Sequence, residues 1–431
     1  MVHDKLISSN FVDKKSQMSV EDRCLKHYDV IVIGGGPAGL FTAIECAKKG
    51  QRIALLEKNK SCGRKLLMAG AGKCNITQAG DMAHFLTCYG ENARFLKQAL
   101  LAFSNEELLS FFRKRGLEFV TTDKGKVFPK SLKSQDVLRV LLSECERRGI
   151  EILYEQAVEE VLKNDETFMV RTSKECFESR VVVVATGGLS YPHTGSTGDG
   201  YVFAKRFGHK IIPTKPALTP LKIKNYEWSD LSGTSFEALS YTHWRGGKKL
   251  GAYQGDFLLT HSGVSGPGII NYSRYMQAGD VIKCNFVGAD SIELFRSKLT
   301  KRLSEGKKTL VKTVVRDLPL TKRFADKVLE LCGIGEELKC AELTKATRQK
   351  LLTTLTEYEM EVKELGGYHV AMVTTGGVSL KEIKPKTMES KKISNLYFVG
   401  EVLDIDGDTG GYNIQAAMSM AYLAAKAISE Q

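Results

Sequence analysis

The chain has 431 residues, of which 42% are hydrophobic and 26% charged, and its formal net charge is +12. The length predicts about two or three domains with sizeable cores, and the composition is that of an ordinary soluble globular protein. There is no run of about 18 apolar residues, which excludes a membrane-spanning helix. Residues 1–27 are polar and lack the apolar stretch of a secretory signal, so we expect a flexible N-terminal extension there.

The cysteines and the net charge indicate the cellular environment and the kind of partner to expect. The ten cysteines are scattered without CxxC pairs or His-rich spacing, which favours neither a metal site nor a disulfide framework and fits a reducing, cytoplasmic environment. The basic excess favours a polyanionic partner such as RNA. It is concentrated in residues 205–249, 298–350 and 381–392. A solvated basic face explains the same excess without any partner.

Residues 28–57 carry the most informative motif. An apolar run over residues 30–33 ends at a glycine turn, an amphipathic segment follows, and a second apolar run over residues 53–56 ends at Glu57. The order strand, glycine turn, helix, strand and acid has the spacing of a dinucleotide-binding unit. The alternative is an ordinary glycine turn, but the flanking elements and the acid all agree with the first interpretation.

Each residue type in this motif has a physical reason. Gly34 permits the tight turn, Gly36 lets the backbone approach a pyrophosphate, and Gly39 lets the helix lie close to the sheet. Pro37 suits the first helical turn, whose free N–H groups attract phosphate. Glu57 would accept hydrogen bonds from a ribose diol and repel a 2′-phosphate.

Beyond this motif, the chain alternates between helical and strand patterns. Helices are predicted over residues 92–115 and 134–148, and strands over residues 151–154, 158–163, 168–172 and 181–184. The all-aliphatic run at 181–184 is typical of a central parallel strand that is buried on both faces. An antiparallel β domain is predicted over residues 211–290 and a lysine-rich helical region over residues 291–357. A strand at 396–399 and a long helix at 415–429 then complete the first domain, which is therefore discontinuous.

Four glycine-rich turns follow apolar strands, at residues 34–39, 185–188, 376–377 and 400–411. In an open parallel sheet, ligands lie beyond the carboxyl ends of the strands, so we expect these turns to line one long cofactor. Only the first turn has the full phosphate-binding fingerprint. This layout fits an enzyme that keeps one dinucleotide bound and lets a hydride donor visit briefly.

Five long segments of the chain resemble the YhiN/BaiN family of flavoproteins, also called the aminoacetone oxidase-like FAD-binding family. They are GRKLLMAGAGKCNIT, VVVVATGGLSYPHTGSTGDGYVFAKRFGH, GDFLLTHSGVSGPGI, TTGGVSLKEIKPKTMESK and LYFVGEVLDIDGDTGGYNIQAAMSM. They occur in the family order, and the resemblance spans residues 28 to about 425. The extension before His27 and the acid at Asp408 depart from the family pattern, which has a small residue or proline at the latter position.

The resemblance implies an α/β fold: a Rossmann-like FAD-binding domain with an inserted antiparallel β domain and a small helical domain. We place the FAD-binding domain at residues 28–212 and 366–431, the inserted β domain at 213–290 and 352–365, and the helical domain at 291–351. It also implies FAD as the tightly held cofactor and NAD(P)H as a transient hydride donor.

The resemblance also assigns cofactor contacts residue by residue. The pyrophosphate and adenosine contacts implied are Gly34, Gly36, Pro37, Ala38, Gly39, Glu57, Lys58, Val158, Ala185, Thr186 and Gly187. The contacts implied toward the ribityl chain and the flavin are Arg64, Gly72, Cys74, Asn75, Gly400, Glu401, Gly411, Tyr412, Asn413 and Ile414. A helix N-terminus at residues 411–415 would stabilise the negative charge of a reduced flavin, although simple N-capping is the alternative role of Tyr412 and Asn413.

Two residues are candidate proton donors. Reducing a conjugated double bond needs a hydride from the flavin and a proton from the other side, which the thiol of Cys74 could supply. The alternative is that Cys74 is a small buried residue that packs against the ring. His193 lies on a glycine loop and is the second candidate, with a surface hydrogen-bonding role as its alternative.

Three functions are compatible with these observations. The first is NAD(P)H-driven reduction of a conjugated C=C bond, with uracil in large-subunit ribosomal RNA favoured by the basic charge. The second is a small-molecule flavoprotein oxidase or enone reductase, acting on an aminoacetone-type amine or a steroid-like substrate. The third is a flavin-stabilised RNA-binding or assembly protein.

Overall fold

The computed structural model describes residues 25–47, 51–288 and 291–431. Its strands, numbered along the chain, are β1 Lys26–Ile33, β2 Ile53–Glu57, β3 Thr77–Gln78, β4 Phe119–Thr121, β5 Lys126–Pro129, β6 Glu151–Tyr154, β7 Val158–Asn164, β8 Thr167–Thr172, β9 Cys176–Val184, β10 Ile211–Ala217, β11 Leu221–Ile223, β12 Ser235–Arg245, β13 Lys248–Leu259, β14 Gly263–Ser265, β15 Val281–Asn285, β16 Tyr358–Leu365, β17 Val373–Val378 and β18 Leu396–Phe398.

The α-helices are α1 Pro37–Cys46, α2 Arg64–Met68, α3 Met82–Thr87, α4 Ala93–Ala102, α5 Asn105–Arg113, α6 Ser134–Arg147, α7 Asp199–Arg206, α8 Pro267–Ile270, α9 Ile292–Glu305, α10 Val311–Arg316, α11 Lys322–Leu331, α12 Lys345–Thr356 and α13 Tyr412–Ser429. Among the described residues, no helix combines the length and the apolar character needed to cross a membrane.

The central sheet is parallel in the order β6-β2-β1-β9-β18. The aliphatic runs at residues 30–33 and 181–184 pair along β1 and β9 and are almost completely buried, which confirms the predicted central strand. β9 is shared between two neighbours on its other side: its first half pairs antiparallel with β8, and its last residues pair with β18. Because β18 follows the insertion, the C-terminal segment completes the nucleotide-binding sheet, as predicted.

The predicted antiparallel β region is a closed six-stranded barrel, in the order β11-β14-β13-β12-β15-β16. Helices α9 to α12 lie between β15 and β16 in the chain and share one apolar core with the barrel. The centre of that core is aromatic, with the rings of Trp228 and Phe324 stacked at a centroid distance of 4.8 Å. The barrel and the lysine-rich helices therefore stabilise each other.

Two elements run across boundaries that we predicted from the sequence. Helix α12 continues through the boundary at 351/352, because Leu351, Leu352 and Leu355 form one continuous buried face of the helix. Strand β10 continues through the boundary at 212/213 and pairs with β17 in a separate two-stranded sheet. This small sheet lies where the chain enters and leaves the barrel.

The predicted N-terminal extension of residues 1–27 is too long at its C-terminal end. Lys26 and His27 already belong to β1, where they pair with Phe177 and Glu178 of β9. Lys26 also forms an ion pair with Glu175 at 2.9 Å, so charge as well as backbone pairing holds this end of the strand. The rest of the predicted extension, up to residue 24, lies outside the described residues.

Candidate active site

A cavity of about 880 Å³ opens at the carboxyl ends of the parallel strands, where glycine turns from distant parts of the chain meet. Its size is near the upper end of the range of about 300–1,000 Å³ for small-molecule sites. The predicted site residues that line it are Gly34, Gly36, Pro37, Ala38, Glu57, Lys58, Arg64, Asn75, Val158, Ala185, Thr186, Gly187, Gly400, Glu401, Gly411, Asn413 and Ile414. Those that the lining does not include are Gly39, Gly72, Cys74, His193 and Tyr412.

The first glycine turn has the geometry that a bound pyrophosphate needs. Gly34 has a φ of +110°, and a Cβ there would lie 2.6 Å from the carbonyl oxygen of Ala185. A Cβ at Gly39 would lie only 1.9 Å from the carbonyl oxygen of Gly34, so this glycine lets α1 approach the turn. Gly36 instead faces open space, and as the N-cap of α1 it makes no side-chain hydrogen bond. The N–H groups at the start of α1 are thus open to an anion.

Glu57 ends β2 in a fixed orientation. Its Oε2 accepts a hydrogen bond from the backbone N–H of Gly35 at 2.8 Å. Its Oε1 accepts from the backbone and the side-chain amide of Asn59, at 2.8 and 2.6 Å. A carboxylate has about four acceptor positions, so capacity for a ribose hydroxyl remains. Asn59 was not predicted as a site residue. Its side-chain amide also donates a hydrogen bond to the carbonyl of Thr194, which connects two segments of the cavity wall.

Two lysines in the lining are held by ion pairs across the cavity wall. The Nζ of Lys58 lies 2.6 Å from Oδ2 of Asp199 at the start of α7. The Nζ of Lys65 lies 2.6 Å from Oε2 of Glu401, whose other oxygen accepts from the backbone N–H of Thr374. These pairs join parts of the chain that are more than 100 residues apart, so they fix the position of the glycine turns relative to each other.

The opposite end of the cavity is formed by the start of α13. Gly411 is its N-cap, with a φ of +95° and no side-chain hydrogen bond. The amide of Asn413 does not cap the helix: it exchanges two hydrogen bonds of 2.8 Å with the backbone of Gly407. The N-capping alternative is thus not what the structure shows for Asn413, and the first N–H groups of α13 stay available to a ligand.

Tyr412 lies on the other side of the same helix turn. Its ring packs edge-on against Phe85, and its hydroxyl lies 3.2 Å from Nε2 of His84. The side chain is buried in the core rather than directed into the cavity. The family resemblance implied that Tyr412 contacts the flavin. Because its side chain is buried in the core, only its backbone remains to make such a contact.

Neither candidate proton donor lines the cavity. Cys74 is completely buried in the main core, and burial raises the pKa of its thiol to about 12. Gly72 lies in the same turn, where its carbonyl accepts from the backbone N–H of Ser134. His193 is exposed, and its ring lies against Tyr191, which does line the cavity. This placement favours the packing alternative for Cys74 and the surface alternative for His193.

A buried charge cluster near α13 was not predicted from the sequence. Arg274, from the barrel side, donates to Oδ1 of Asp408 at 2.6 Å and lies 3.1 Å from Oδ2 of Asp406. Burial raises the pKa of Asp408 to about 6 although Arg274 opposes this effect, and burial also raises the pKa of Asp406. Asp408 lines the cavity. Its departure from the family pattern is the one feature of the sequence that drew attention to it.

Other residues of the lining were also missed. Met68, Lys73 and Pro267 lie within the quoted family segments, where the resemblance assigned them no contact, and the rest come from short segments without a motif. The apolar ones are Met68, Phe128, Leu218, Pro267, Ile270, Met372 and Val373. The basic ones are Lys73 and Lys126. The turn at Gly376 and Gly377, which we expected to touch the cofactor, does not line the cavity. A Cβ at Gly376 would lie 2.3 Å from the carbonyl oxygen of Pro213, so this turn serves the pairing of β17 with β10.

The residues present fit an FAD molecule. Gly36 leaves open space where a pyrophosphate would lie, and two helices longer than eight residues direct uncapped N-termini to the two ends of the cavity. The side-chain oxygen of Asn75, in the lining, is buried and has no hydrogen-bond partner within the described part of the chain. Such an orphaned acceptor is expected where a bound group completes the site.

Fold and site together define a Rossmann-type flavoprotein, an FAD-dependent oxidoreductase. A solved structure of 3-ketosteroid-Δ4-(5α)-dehydrogenase from Rhodococcus jostii has the same fold, with a TM-score of 0.50 at 13% identity over 94% of this chain and 97% of that chain. The HI0933-like protein Rossmann domain matches residues 28–427, and the chain belongs to this family. The family match confirms the resemblance and the fold class predicted from the sequence.

Relatives of known activity align along almost the whole chain. The ribosomal RNA dihydrouridine synthase of Haemophilus influenzae is 33% identical over 407 residues, covering 93% of this chain and 98% of the relative. The enzyme of the same name from Escherichia coli is 30% identical, with the same coverage. The 3-dehydro-bile acid delta(4,6)-reductase of Clostridium scindens is 29% identical over 409 residues, again with the same coverage.

Proposed function

We propose that this protein reduces a uracil base in large-subunit ribosomal RNA to dihydrouridine, with NAD(P)H as the hydride donor. The observation that carries the proposal is the 33% identity to a ribosomal RNA dihydrouridine synthase along 98% of that relative's length. The net charge of +12 supports it, because a basic protein gains affinity for a polyanion. The expected cytoplasmic location is consistent with such a substrate.

The chemistry divides between the cofactor and the chain. FAD, when bound, supplies hydride transfer between the nicotinamide and the C5=C6 bond of the base. The chain holds the cofactor: the start of α1 binds its phosphates, and the start of α13 stabilises negative charge that develops on the flavin pyrimidine. Leu218, Ile270 and Met372 provide apolar surface in the lining against which a planar base can lie.

The proposal is tested by giving the reduced enzyme a choice of acceptors. The purified flavoprotein is reduced anaerobically with NADH or NADPH and then mixed with unmodified ribosomal RNA or with a steroid enone. In a separate assay, the oxidised flavoprotein is mixed with aminoacetone as the electron donor and with oxygen as the electron acceptor. We expect RNA to reoxidise the flavin with formation of dihydrouridine, detected by mass spectrometry of nuclease digests. Dihydrouridine in ribosomal RNA from cells lacking the gene, at the level found in the parent strain, would contradict the proposal.

The bile acid reductase relative favours enone reduction as a second candidate, since it aligns over the same 93% of the chain. Faster flavin reoxidation by the steroid enone than by RNA would select that function. Rapid peroxide release with aminoacetone would select the oxidase, and RNA binding without any flavin turnover would select an assembly role.

A further inference from the structure

Among the described residues, three cations of the cavity lining form no ion pair: Arg64, Lys73 and Lys126. Arg64 donates to Oδ1 of Asn59 at 2.7 Å, whereas Lys73 and Lys126 form no side-chain hydrogen bond either. The other two cations of the lining are paired, Lys58 with Asp199 and Lys65 with Glu401. Lys124, two residues before Lys126 in the same hairpin, is neutralised by an ion pair of 2.6 Å with Asp256 of the barrel. Lys73 and Lys126 thus keep a positive charge that no ion pair among the described residues neutralises, although Lys126 also lies near enough to Asp256 to help Lys124 lower the pKa of that acid.

Lys73 and Lys126 lie on adjacent segments of the cavity wall. The loop that carries Lys73 runs beside β5, where the backbone N–H of Ile76 donates to the carbonyl of Val127 at 3.0 Å. Lys126 pairs with Gln78 of β3, and Oε1 of Gln78 lies 3.3 Å from the position that a Cβ at Gly410 would occupy. Lys126 is therefore linked through Gln78 to the start of α13, the end of the cavity where the flavin ring is expected, and the loop that carries Lys73 runs beside the same strand.

The surface around this pair is apolar and open. Met68 and Met372 line the cavity although 40% and 43% of their surface is exposed, and Phe128 lines it from β5. Proteins hold single-stranded nucleic acid by cations that contact the phosphates and aromatic side chains on which the bases stack. Phe128 is such an aromatic residue, and it lies two residues from Lys126 on the same face of β5.

We propose that Lys73 and Lys126 bind the backbone phosphates on either side of the target uridine, so that a single-stranded or extruded nucleotide enters the cavity with its base toward the flavin. This inference rests on the proposed function and specifies how the RNA is held. Both side chains act in binding and positioning, and neither takes part in the transfer of the hydride or the proton.

The test compares two double variants of the FAD-loaded enzyme. K73Q/K126Q removes the pair, and K97Q/K174Q removes two exposed lysines that do not line the cavity and lie outside the basic regions of the sequence, so both variants lower the net charge by two. Binding to a ribosomal RNA fragment that contains the modified uridine is measured by fluorescence anisotropy from 50 to 300 mM KCl, beside the KM for RNA and for NAD(P)H.

We expect K73Q/K126Q to reduce the slope of log affinity against log salt concentration by about 1.4, because each phosphate contact with a single strand contributes about 0.7. The KM for RNA should rise with it, and K97Q/K174Q should show the slope of the parent enzyme. An equal slope in the two variants overturns the inference while the proposed function stands. A higher KM for NAD(P)H with an unchanged RNA slope also overturns it, and assigns the pair to the hydride donor's phosphates. A parent enzyme that forms no dihydrouridine overturns the proposed function itself.

Discussion

The two ends of the cavity are built in different ways. At the nucleotide end, Glu57 accepts three hydrogen bonds from the chain, Lys58 is paired with Asp199, and Gly34 and Gly39 leave no room for a Cβ. At the flavin end, the amide oxygen of Asn75 has no partner among the described residues, and burial raises the pKa of Asp408 to about 6. The charged side chains of the first end are therefore held by partners within the chain, whereas the second end contains an acid whose ionised form is disfavoured.

This difference follows from what each end must do. A cofactor that stays bound is best held by groups that are already fixed, since little freedom is then lost on binding. A substrate and a hydride donor that enter and leave in turn need groups whose partners can change. Unsatisfied or strained polar groups persist only where the surrounding fold stabilises them, and here that support comes from the barrel through Arg274.

The largest effect is expected at the nucleotide end. There, substituting two glycines of the same motif should affect two different properties, the free energy of unfolding in one case and the affinity for FAD in the other. In G39A the new Cβ would lie 1.9 Å from the carbonyl oxygen of Gly34, and α1 must move away from the turn. We expect a loss of about 3 kcal/mol or more in the free energy of unfolding, because overpacking against backbone cannot relax as a side chain does. Urea denaturation of the apoprotein measures it.

G36A is the matched control, since no atom lies within 4 Å of the Cβ it adds. Its free energy of unfolding should stay within about 0.5 kcal/mol of the parent value, while its FAD affinity falls because the methyl group occupies the space of a pyrophosphate. Equal destabilisation by both substitutions would contradict the division of roles between these glycines.

The next largest effect is expected at Arg274, which joins the barrel to the flavin end. R274A leaves Asp406 and Asp408 buried without a cation, a loss that costs about 3–5 kcal/mol when both charges persist. Because burial already raises the pKa of both acids, they can take up protons instead, and we expect about 2–3 kcal/mol at pH 8 and less at pH 5. Thermal unfolding at the two pH values tests this, and an effect that grows toward low pH would contradict it.

The nucleotide end could be predicted from the sequence because its physics is local. Gly34, Gly36, Gly39 and Glu57 lie within 24 residues of one another, and each answers a steric or hydrogen-bonding need set by a single strand–turn–helix unit. The same holds for the apolar run at residues 181–184, whose burial on both faces is evident from its composition. Local rules sufficed for these elements.

The residues of the flavin end that lie outside the quoted family segments could not be predicted in the same way, because they come from segments without local signatures. Arg274 follows a short helix after the barrel strand β14, and Lys126 belongs to a four-residue strand. Only the closed barrel and the small sheet of β3, β4 and β5 place them beside the start of α13. Tyr412 shows the converse: a motif match identified the helix start correctly but could not tell which way the side chain points.

A smaller effect is expected from the acid that departs from the family pattern. Asp408 has a pKa raised to about 6, so the folded protein keeps a proton there that the unfolded chain has lost above about pH 4. The stability from this group is therefore present below pH 4 and is lost as the pH rises through 6.

D408N does not titrate, so its free energy of unfolding relative to the parent should rise by about 1–2 kcal/mol from pH 4.5 to pH 7.5, after allowance for partial exposure of the carboxyl. A pH-independent difference between the two proteins, measured by thermal unfolding in matched buffers, would place the pKa of this group at its ordinary value.

The smallest effect is expected at Cys74. Its substitution tests whether this buried residue of the main core belongs to the flavin end of the site. C74A removes a completely buried sulfur that does not line the cavity, so it should cost about 1 kcal/mol in stability, like C284A in the barrel. FAD should remain bound, and the rate of dihydrouridine formation should stay within a factor of a few.

Removing a true proton donor would instead cost about 10²–10⁴-fold in the rate at which substrate reoxidises the flavin. If C74A shows such a loss while C284A does not, the thiol must reach the substrate in a conformation other than this one, and the flavin end would include the loop that carries Cys74.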